Sequence, residues 1–362
     1  MPRSRSSRGL VVVGDPGDKR ALALDAALAR AGHPPARRVP WAIALREPER
    51  VAEAGAPGDV LRVESPGSSS ATWHALARRG GFVGTIEHGG WRPGRAWFEG
   101  LGAALSAIEA AAPHLVRTHP AVHVLAMTDK AACSERLRHA GVPTPAALPA
   151  PSSACALDAL LAERRLAAVF VKARWGSSGA GVLAYRRAGI RRQLVTTAVL
   201  DGPRIWNDKR LRTYTREADV VRLLEAVIAD GAVVERWVPK ATAAGGPFDM
   251  RVLVVDGRVA QRIARVGRGT ITNLHLDSTR LDLDLALGRW GGSCRAAVLA
   301  ACTRAAACFP GHLAVGVDVM IDAAGRPHVL ECNAWGDHLP GLLVDGLDSY
   351  DVQVRALPRQ AA

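Results

Sequence analysis

The chain has 362 residues, 48% of them hydrophobic, and carries 47 Lys and Arg against 34 Asp and Glu, a formal net charge of +13. That apolar content suffices for cores in two or three domains and excludes a chain disordered throughout. No run of eighteen apolar residues offers a membrane span, and the basic start MPRSRSSRGL enters a short strand without a signal-peptide core, so a cytoplasmic protein without membrane partners is expected.

The positive charge does not by itself indicate nucleic acid. Arginines are scattered among Ala, Leu and Val, and the few aromatics form no stacking platform, which disfavours a nucleic-acid partner. Cys133, Cys155, Cys294, Cys302, Cys308 and Cys332 show no CxxC pair, as expected for free thiols and not for zinc or disulfides. Only five lysines occur: Lys19, Lys130, Lys172, Lys209 and Lys240. Where arginine serves most positions that need charge alone, a remaining lysine points to a need for a compact, rotatable ammonium.

In chain order, GLVVVGDPGDKRALALDAALARAGH reads as strand, turn and amphipathic helix, and DVLRVESPGSSS as a second strand and turn. The turn Gly14 to Gly17 lacks the glycine spacing of a dinucleotide fingerprint and is read as structural, which leaves a dehydrogenase a weak alternative. TIEHGGWRPGRAWFEG forms a loop entering an Ala-rich helix from Leu101, and the first domain ends near Leu115. Thr128 is the expected N-cap of a helix beginning at Asp129, which Gly141 ends before Pro143 and Pro145 force an extended exit. Lys130 therefore lies in a first helical turn, a poor place for a cation unless an anion meets it.

A loop and helix in PAPSSACALDALLAERRLA precede the strand AAVFVKA, a Gly/Ser loop and a helical region expected from Gln193 to Ala229. Then come the strand AVVERWV, a Gly-rich loop, two strands in FDMRVLVVDGRVAQRIARV, a helix near Arg295 to Cys308 and a closing hairpin. Interleaved strands and helices with several tight turns predict an α/β (α+β) protein whose later part is a largely antiparallel sheet with helices on one side.

The closing hairpin, LAVGVDVMIDAAGRPHVLECNA, carries the first chemical signal. An even-length loop centred on Ala324 and Gly325 sets Asp318 opposite Glu331. Alternation then puts Asn333 on the face of Glu331, with Leu330 and Cys332 on the other. Two facing carboxylates repel unless a cation joins them, and two acids plus an amide oxygen suit Mg2+, or Mn2+ as the alternative, with water and phosphate completing its shell. A solvated hairpin face is the structural alternative.

The second signal is VFVKARWGSSGAGVLAY. Lys172 emerges near a strand end beside Gly176, Ser177, Ser178, Gly179 and Gly181, where small residues let backbone N–H groups converge on phosphate oxygens. The lysine precedes the glycines, so this is not a Walker A loop. A plain flexible turn is its structural alternative.

In order, TDKAACSERLRHAGVPTP, VFVKARWGSSGAGV, VVERWVPK, FDMRVLVV, TNLH and GVDVMID with HVLECNA make residues 115 to 345 resemble the ATP-grasp enzymes. The D-x-R, N-L-H and E-x-N elements look most like the RimK-type glutamate ligase branch. The resemblance implies a Rossmann-like pre-ATP-grasp domain over 1–115, behind a basic tail at 1–8. A two-part ATP-grasp fold would follow, with a lysine and glycine-loop part at 116–235 and a metal-binding part at 236–362.

It also implies ATP and Mg2+ as cofactors, with Lys130 and Lys172 on the phosphates and Ser177, Ser178 and Gly179 closing over them. Glu235 would accept from the adenine amine, with the backbone of Arg236 and Val238 reading the remaining edge. Asp318, Glu331 and Asn333 would hold metal, and Arg251 and Arg265 would act catalytically on the transferring phosphoryl group or bind an acidic substrate. Asn273 and His275 would line the phosphate or acceptor side. The segment PKATAAGG lacks the acid that commonly contacts the ribose. The expected activity is ligation of a carboxylate to an amine, both small molecules or peptides, through an acylphosphate. A non-catalytic ATP-binding module serving a partner protein is the rival.

Overall fold

The computed structural model describes residues 8–85, 87, 89–91, 94–176, 180–272, 278–336 and 339–358. Three sheets organise them. The first is parallel and comprises β1 (Leu10–Val13), β2 (Arg37–Val39), β3 (Val60–Val63) and β4 (Val116–Arg117), in the order β2-β1-β3-β4. Its two central strands, β1 and β3, are buried throughout, as a sheet covered by helices requires. The helix Lys19–Arg30 starts where Asp18 caps the Arg20 amide, and it buries Leu24, Ala27 and Leu28. Against it lies the C-terminal helix Ser349–Arg355, whose Tyr350 and Val354 join Leu10, Val12 and Val60 in one small core.

The second sheet is antiparallel: β5 (Ala147–Leu148), β6 (Ala168–Ala173), β7 (Val182–Ala188), β8 (Arg191–Asp201), β9 (Arg204–Tyr214) and β10 (Ala232–Arg236), in the order β5-β10-β6-β7-β8-β9. Here one expectation fails. The segment from Gln193 is not helical but forms the long hairpin β8–β9, and the helix begins only at Glu217 and runs to Ala229. The run Leu194-Val195-Thr196-Thr197 is rich in β-branched residues that fit a pleated surface. Gly202, at φ +50°, supplies the left-handed backbone of the turn.

The third sheet holds β11 (Thr242–Ala243), β12 (Gly246–Val255), β13 (Arg258–Val266), β14 (Thr279–Leu281), β15 (Ala314–Ile321) and β16 (Pro327–Asn333), in the order β14-β13-β12-β15-β16, with β11 paired to β12. Asp256 and Gly257, both at positive φ, make the tight turn of β12–β13. The helix Gly291–Ala307 covers one face.

Two hydrophobic cores divide the molecule. The larger runs from Val11, Leu61 and Leu105 to Val252, Val315 and Cys302, so the parallel sheet and the third sheet share one interior. The second sheet packs separately, with Val169, Val171 and Tyr185 against Leu157, Leu161, Val220 and Leu224. The candidate site lies in the cleft between the second and third sheets. No helix among the described residues is long and apolar enough to cross a membrane.

Candidate active site

The closing hairpin reaches the expected pairing by an unexpected route. Asp318 stands opposite Glu331, Val317 opposite Cys332 and Gly316 opposite Asn333. Nearer the turn, Val319 pairs with Val329 and Ile321 with Pro327, so the register shifts by one residue and Leu330 is the extra one. The turn is the odd segment Asp322–Arg326, fixed by the Asp322 carboxylate, which accepts from the backbone of Ala324 and Arg326. The bulge restores the acid pairing and corrects one expectation: Leu330 lines the cleft beside Glu331. Cys332 is buried in the larger core, away from the cleft.

Register also places the arginines. In β12, Asp249 faces Arg265 of β13 while Arg251 faces Asp318 of β15. Arg251 Nε lies 2.8 Å from Asp318 Oδ1, Arg265 Nη2 lies 3.0 Å from the same oxygen, and Arg265 Nε donates to Asp249 at 2.6 Å. Asp249 and Arg251 are thus not a mutual surface pair. Both are buried, and each serves a neighbouring strand.

Lysines close the cleft from the opposite side. Asp129, not Thr128, caps the helix Lys130–His139: its carboxylate accepts from the amides of Ala131 and Ala132, while the Thr128 hydroxyl donates to Val124 O within the preceding helix. Asp129 also takes Arg174 through three contacts of 2.7 to 2.9 Å. Lys130 Nζ then reaches Gly176 O at 2.6 Å and Glu331 Oε2 at 3.2 Å. On β6, Lys172 Nζ donates to Glu235 Oε2 at 2.7 Å, and the Glu235 side chain is 6% exposed.

The electrostatics follow from burial. Removal from water drives the Asp318 carboxyl up to about 7; Arg251 and Arg265 pull it down, and neighbouring Glu331 pushes it up again. Glu331 is desolvated too, but Lys130, Lys172 and Arg251 hold it well below the usual carboxylate range, and the two acids are close enough to hydrogen-bond. Asp249 stays depressed despite burial because Arg265 and Lys240 surround it.

Sequence reasoning missed Lys240 and Thr272. Lys240 Nζ lies 2.9 Å from Asp249 Oδ2 and is hydrogen-bonded to Thr272, which itself donates to Asp249. Burial lowers the Lys240 pKa despite that acid. The scarcity of lysine in this chain was the available signal. Ser177, Ser178, Gly179, Asn273 and His275 lie outside the described residues.

Together these groups line one partly open cleft, about 830 Å³ with the solvent at its mouth included. Lys130, Lys172, Arg236, Lys240 and Arg265 meet Glu235, Asp249, Asp318 and Glu331, with Phe170, Val182, Val238, Met320 and Leu330 as apolar walls. Asn333 is not part of that lining; its amide nitrogen donates to Gly316 O at 3.3 Å. Among the described residues no group of three or more His, Cys, Asp or Glu converges, so Asp318 and Glu331 are the two carboxylates that would meet a divalent ion in this cleft. Asp318 and Glu331 stand opposite each other as two carboxylates, oxygen donors of the kind a hard divalent ion takes.

No curated protein matches the chain. Solved structures resemble it over nearly its whole length at low identity. The D-cycloserine synthetase DcsG is 18% identical, covering 96% of this chain and 98% of its own, with a TM-score of 0.57. The ATP-grasp ligase PsnB, complexed with a minimal precursor, is 17% identical, with coverage of 97% and 100% and a TM-score of 0.55. The N5-carboxyaminoimidazole ribonucleotide synthetase purK, as its ADP complex, is 14% identical, with coverage of 98% and 78% and a TM-score of 0.59. These share the fold. Residues 148–338, over half of the chain, match the family described as YheC/D-like ATP-grasp, and the protein belongs to that ATP-grasp family.

Proposed function

We propose that the protein is an ATP-dependent carboxylate–amine ligase working through an acylphosphate. The observation that carries this reading is the convergence of Asp318 and Glu331 on the closing hairpin with Lys130 and Lys172 from the other wall of one cleft. Five cations in the lining exceed its four carboxylates, and a magnesium-bound triphosphate uses both sets, the acids for the ion and the lysines and arginines for the phosphates.

In this reading Asp318 and Glu331 hold Mg2+, with Asn333 nearby, and the ion would neutralise phosphate charge when bound. Lys130 and Lys172 exchange their present carboxylate partners for phosphate oxygens. Ser177, Ser178 and Gly179 are assigned to the loop over those oxygens, and Asn273 and His275 to the acceptor side. The Glu235 carboxylate, which holds Lys172 until phosphate draws that lysine away, then accepts from the adenine amine, beside the backbone of Arg236 and Val238.

Arg265 and Arg251, fixed by Asp249 and Asp318, stabilise charge as the terminal phosphoryl group passes to the substrate carboxylate. The amine then displaces phosphate. The D-x-R and E-x-N elements support the RimK-type branch, and six free cysteines support a cytoplasmic location. We assign residues 1–115 to the pre-ATP-grasp domain, 116–235 to the lysine part and 236–362 to the metal part.

Purified protein with Mg-ATP and pools of candidate carboxylates and amines tests the reading by ADP release. Release that requires both a carboxylate and an amine supports it. Tight ATP binding with no turnover under any pool contradicts it and favours a binding module.

A further inference from the structure

Beyond the cleft, the second sheet carries a groove that the ligase reading does not use. It crosses one end of five neighbouring strands: Arg236 ends β10 and Trp237 follows it, Ala168 begins β6, Arg186 and Arg187 lie at the end of β7, Arg191 and Arg192 begin β8, and Thr215 follows β9. The registers bring these ends side by side, with Arg236 opposite Val169, Ala168 opposite Arg186, and Arg187 opposite Arg192. Four strand spacings of about 4.8 Å make the run roughly 19 Å long. An extended peptide of about six residues, at about 3.3 Å each, spans that distance.

Six arginines line it: Arg165, Arg186, Arg187, Arg191, Arg192 and Arg236. The single carboxylate in the lining, Glu217, is paired with Arg192, which also holds Asp158 at 2.6 Å. Among the described residues Arg165, Arg191 and Arg236 have no ion-pair partner, although all three are exposed. Arg165 is moreover held at φ +52°, a conformation unusual for a side-chain-bearing residue.

Aromatic and apolar groups narrow the choice of ligand. Trp237 has one face stacked on Phe170, ring centroids 4.6 Å apart, and the Arg186 guanidinium 4.4 Å from its ring centroid. No free aromatic platform remains for a nucleobase, which nucleic-acid grooves of this kind use. Leu166 and Ile190 stand among the arginines, and Ile190 is 95% exposed. A chain that alternates carboxylates with an apolar side chain meets both features.

We propose that this groove is a binding site for an acidic peptide segment, held by the guanidinium groups of Arg165, Arg186 and Arg191 and anchored on Leu166 and Ile190. Arg165, Arg186 and Arg191 do not line the cleft. Arg236 is the link between groove and cleft, since it borders both.

The test is fluorescence anisotropy with a labelled ten-residue peptide of Asp and Glu carrying one Leu, measured across a salt series without ATP. Arg165→Ser/Arg186→Ser/Arg191→Ser is compared with a control of the same charge change far away, Arg46→Ser/Arg78→Ser/Arg79→Ser. We expect salt-sensitive binding that falls at least tenfold in the groove variant, changes less than twofold in the control, and survives when the three groove residues become lysine. Mg-ATP affinity stays within twofold throughout, which separates this site from the cleft. Equal loss in both triple serine variants reduces the effect to bulk charge and overturns the proposal. So does absence of binding in the wild type. Tighter capture of oligothymidylate or of anionic lipid vesicles than of the peptide, at equal salt, also overturns it.

Discussion

Arg251 on β12 is placed directly across from Asp318 on β15, with its Nε 2.8 Å from the acid, so the carboxylate aimed at the cleft is gripped from behind by its own sheet. The pair is 10% and 8% exposed. Removing one partner from such a pair leaves a charge in low dielectric, which typically costs about 3–5 kcal/mol.

Arg251→Met leaves Asp318 with Arg265 alone, so it is expected to lower the unfolding free energy by about 2 kcal/mol, and ADP release by at least a hundredfold. Arg251→Lys, which keeps the charge but not the fork, should recover most of the stability and little of the turnover. Urea unfolding and steady-state ADP release, measured on the same preparations, check both.

Lys172 offers a different separation. Lys172→Met strands the buried Glu235 carboxylate and removes a phosphate contact, so both stability and nucleotide affinity should fall. Adding Glu235→Gln should restore stability while leaving ATP binding at least tenfold weaker than wild type. Calorimetric titration beside thermal unfolding distinguishes the two effects.

A pH dependence arises outside the cleft, where β4 meets the loop after β16. His119 and His312 stack edge to face, with ring centroids 4.7 Å apart; His312 is hydrogen-bonded to Ala334 O, and Trp335 donates to Val63 O at 3.0 Å. Burial lowers the His312 pKa to about 4, and burial with the nearby Arg62 charge lowers that of His119 well below its ordinary value. A depressed folded-state histidine means that the unfolded chain binds more protons below about pH 6.5. Stability should accordingly fall as pH drops from about 6.5 toward 4, with no contribution from these rings above 7. In His312→Gln the slope of the urea midpoint over that window should be shallower.

Cys332 directly follows Glu331 yet faces the core. Cys332→Ala should retain ADP release within twofold and cost about 1 kcal/mol through the small void it leaves. A large loss of turnover with normal stability would reverse the assigned strand orientation.

How far the sequence disclosed this site can be judged residue by residue. Asp318 opposite Glu331 was reached from an even loop that the structure does not have: the odd turn and the bulge at Leu330 compensate each other, and nothing nearby distinguishes that combination from an even loop. Capping at Asp129 was misassigned to Thr128 because both residues are good caps and only the Arg174 contact selects between them. The hairpin at 191–214 was read as helix because its arginines and leucines suit either state, and strand pairing with β7 decided the outcome. Lys240 owes its place to Asp249 and Thr272, contacts set by the third sheet and invisible in linear order.

The most direct measurement is the effect of Mg2+ on binding of a non-hydrolysable ATP analogue, by calorimetry, in the wild type, Asp318→Asn and Glu331→Gln. The account predicts that Mg2+ tightens binding at least tenfold in the wild type and less than twofold in either variant, with the fold intact by circular dichroism. An undiminished Mg2+ effect in both variants would contradict it.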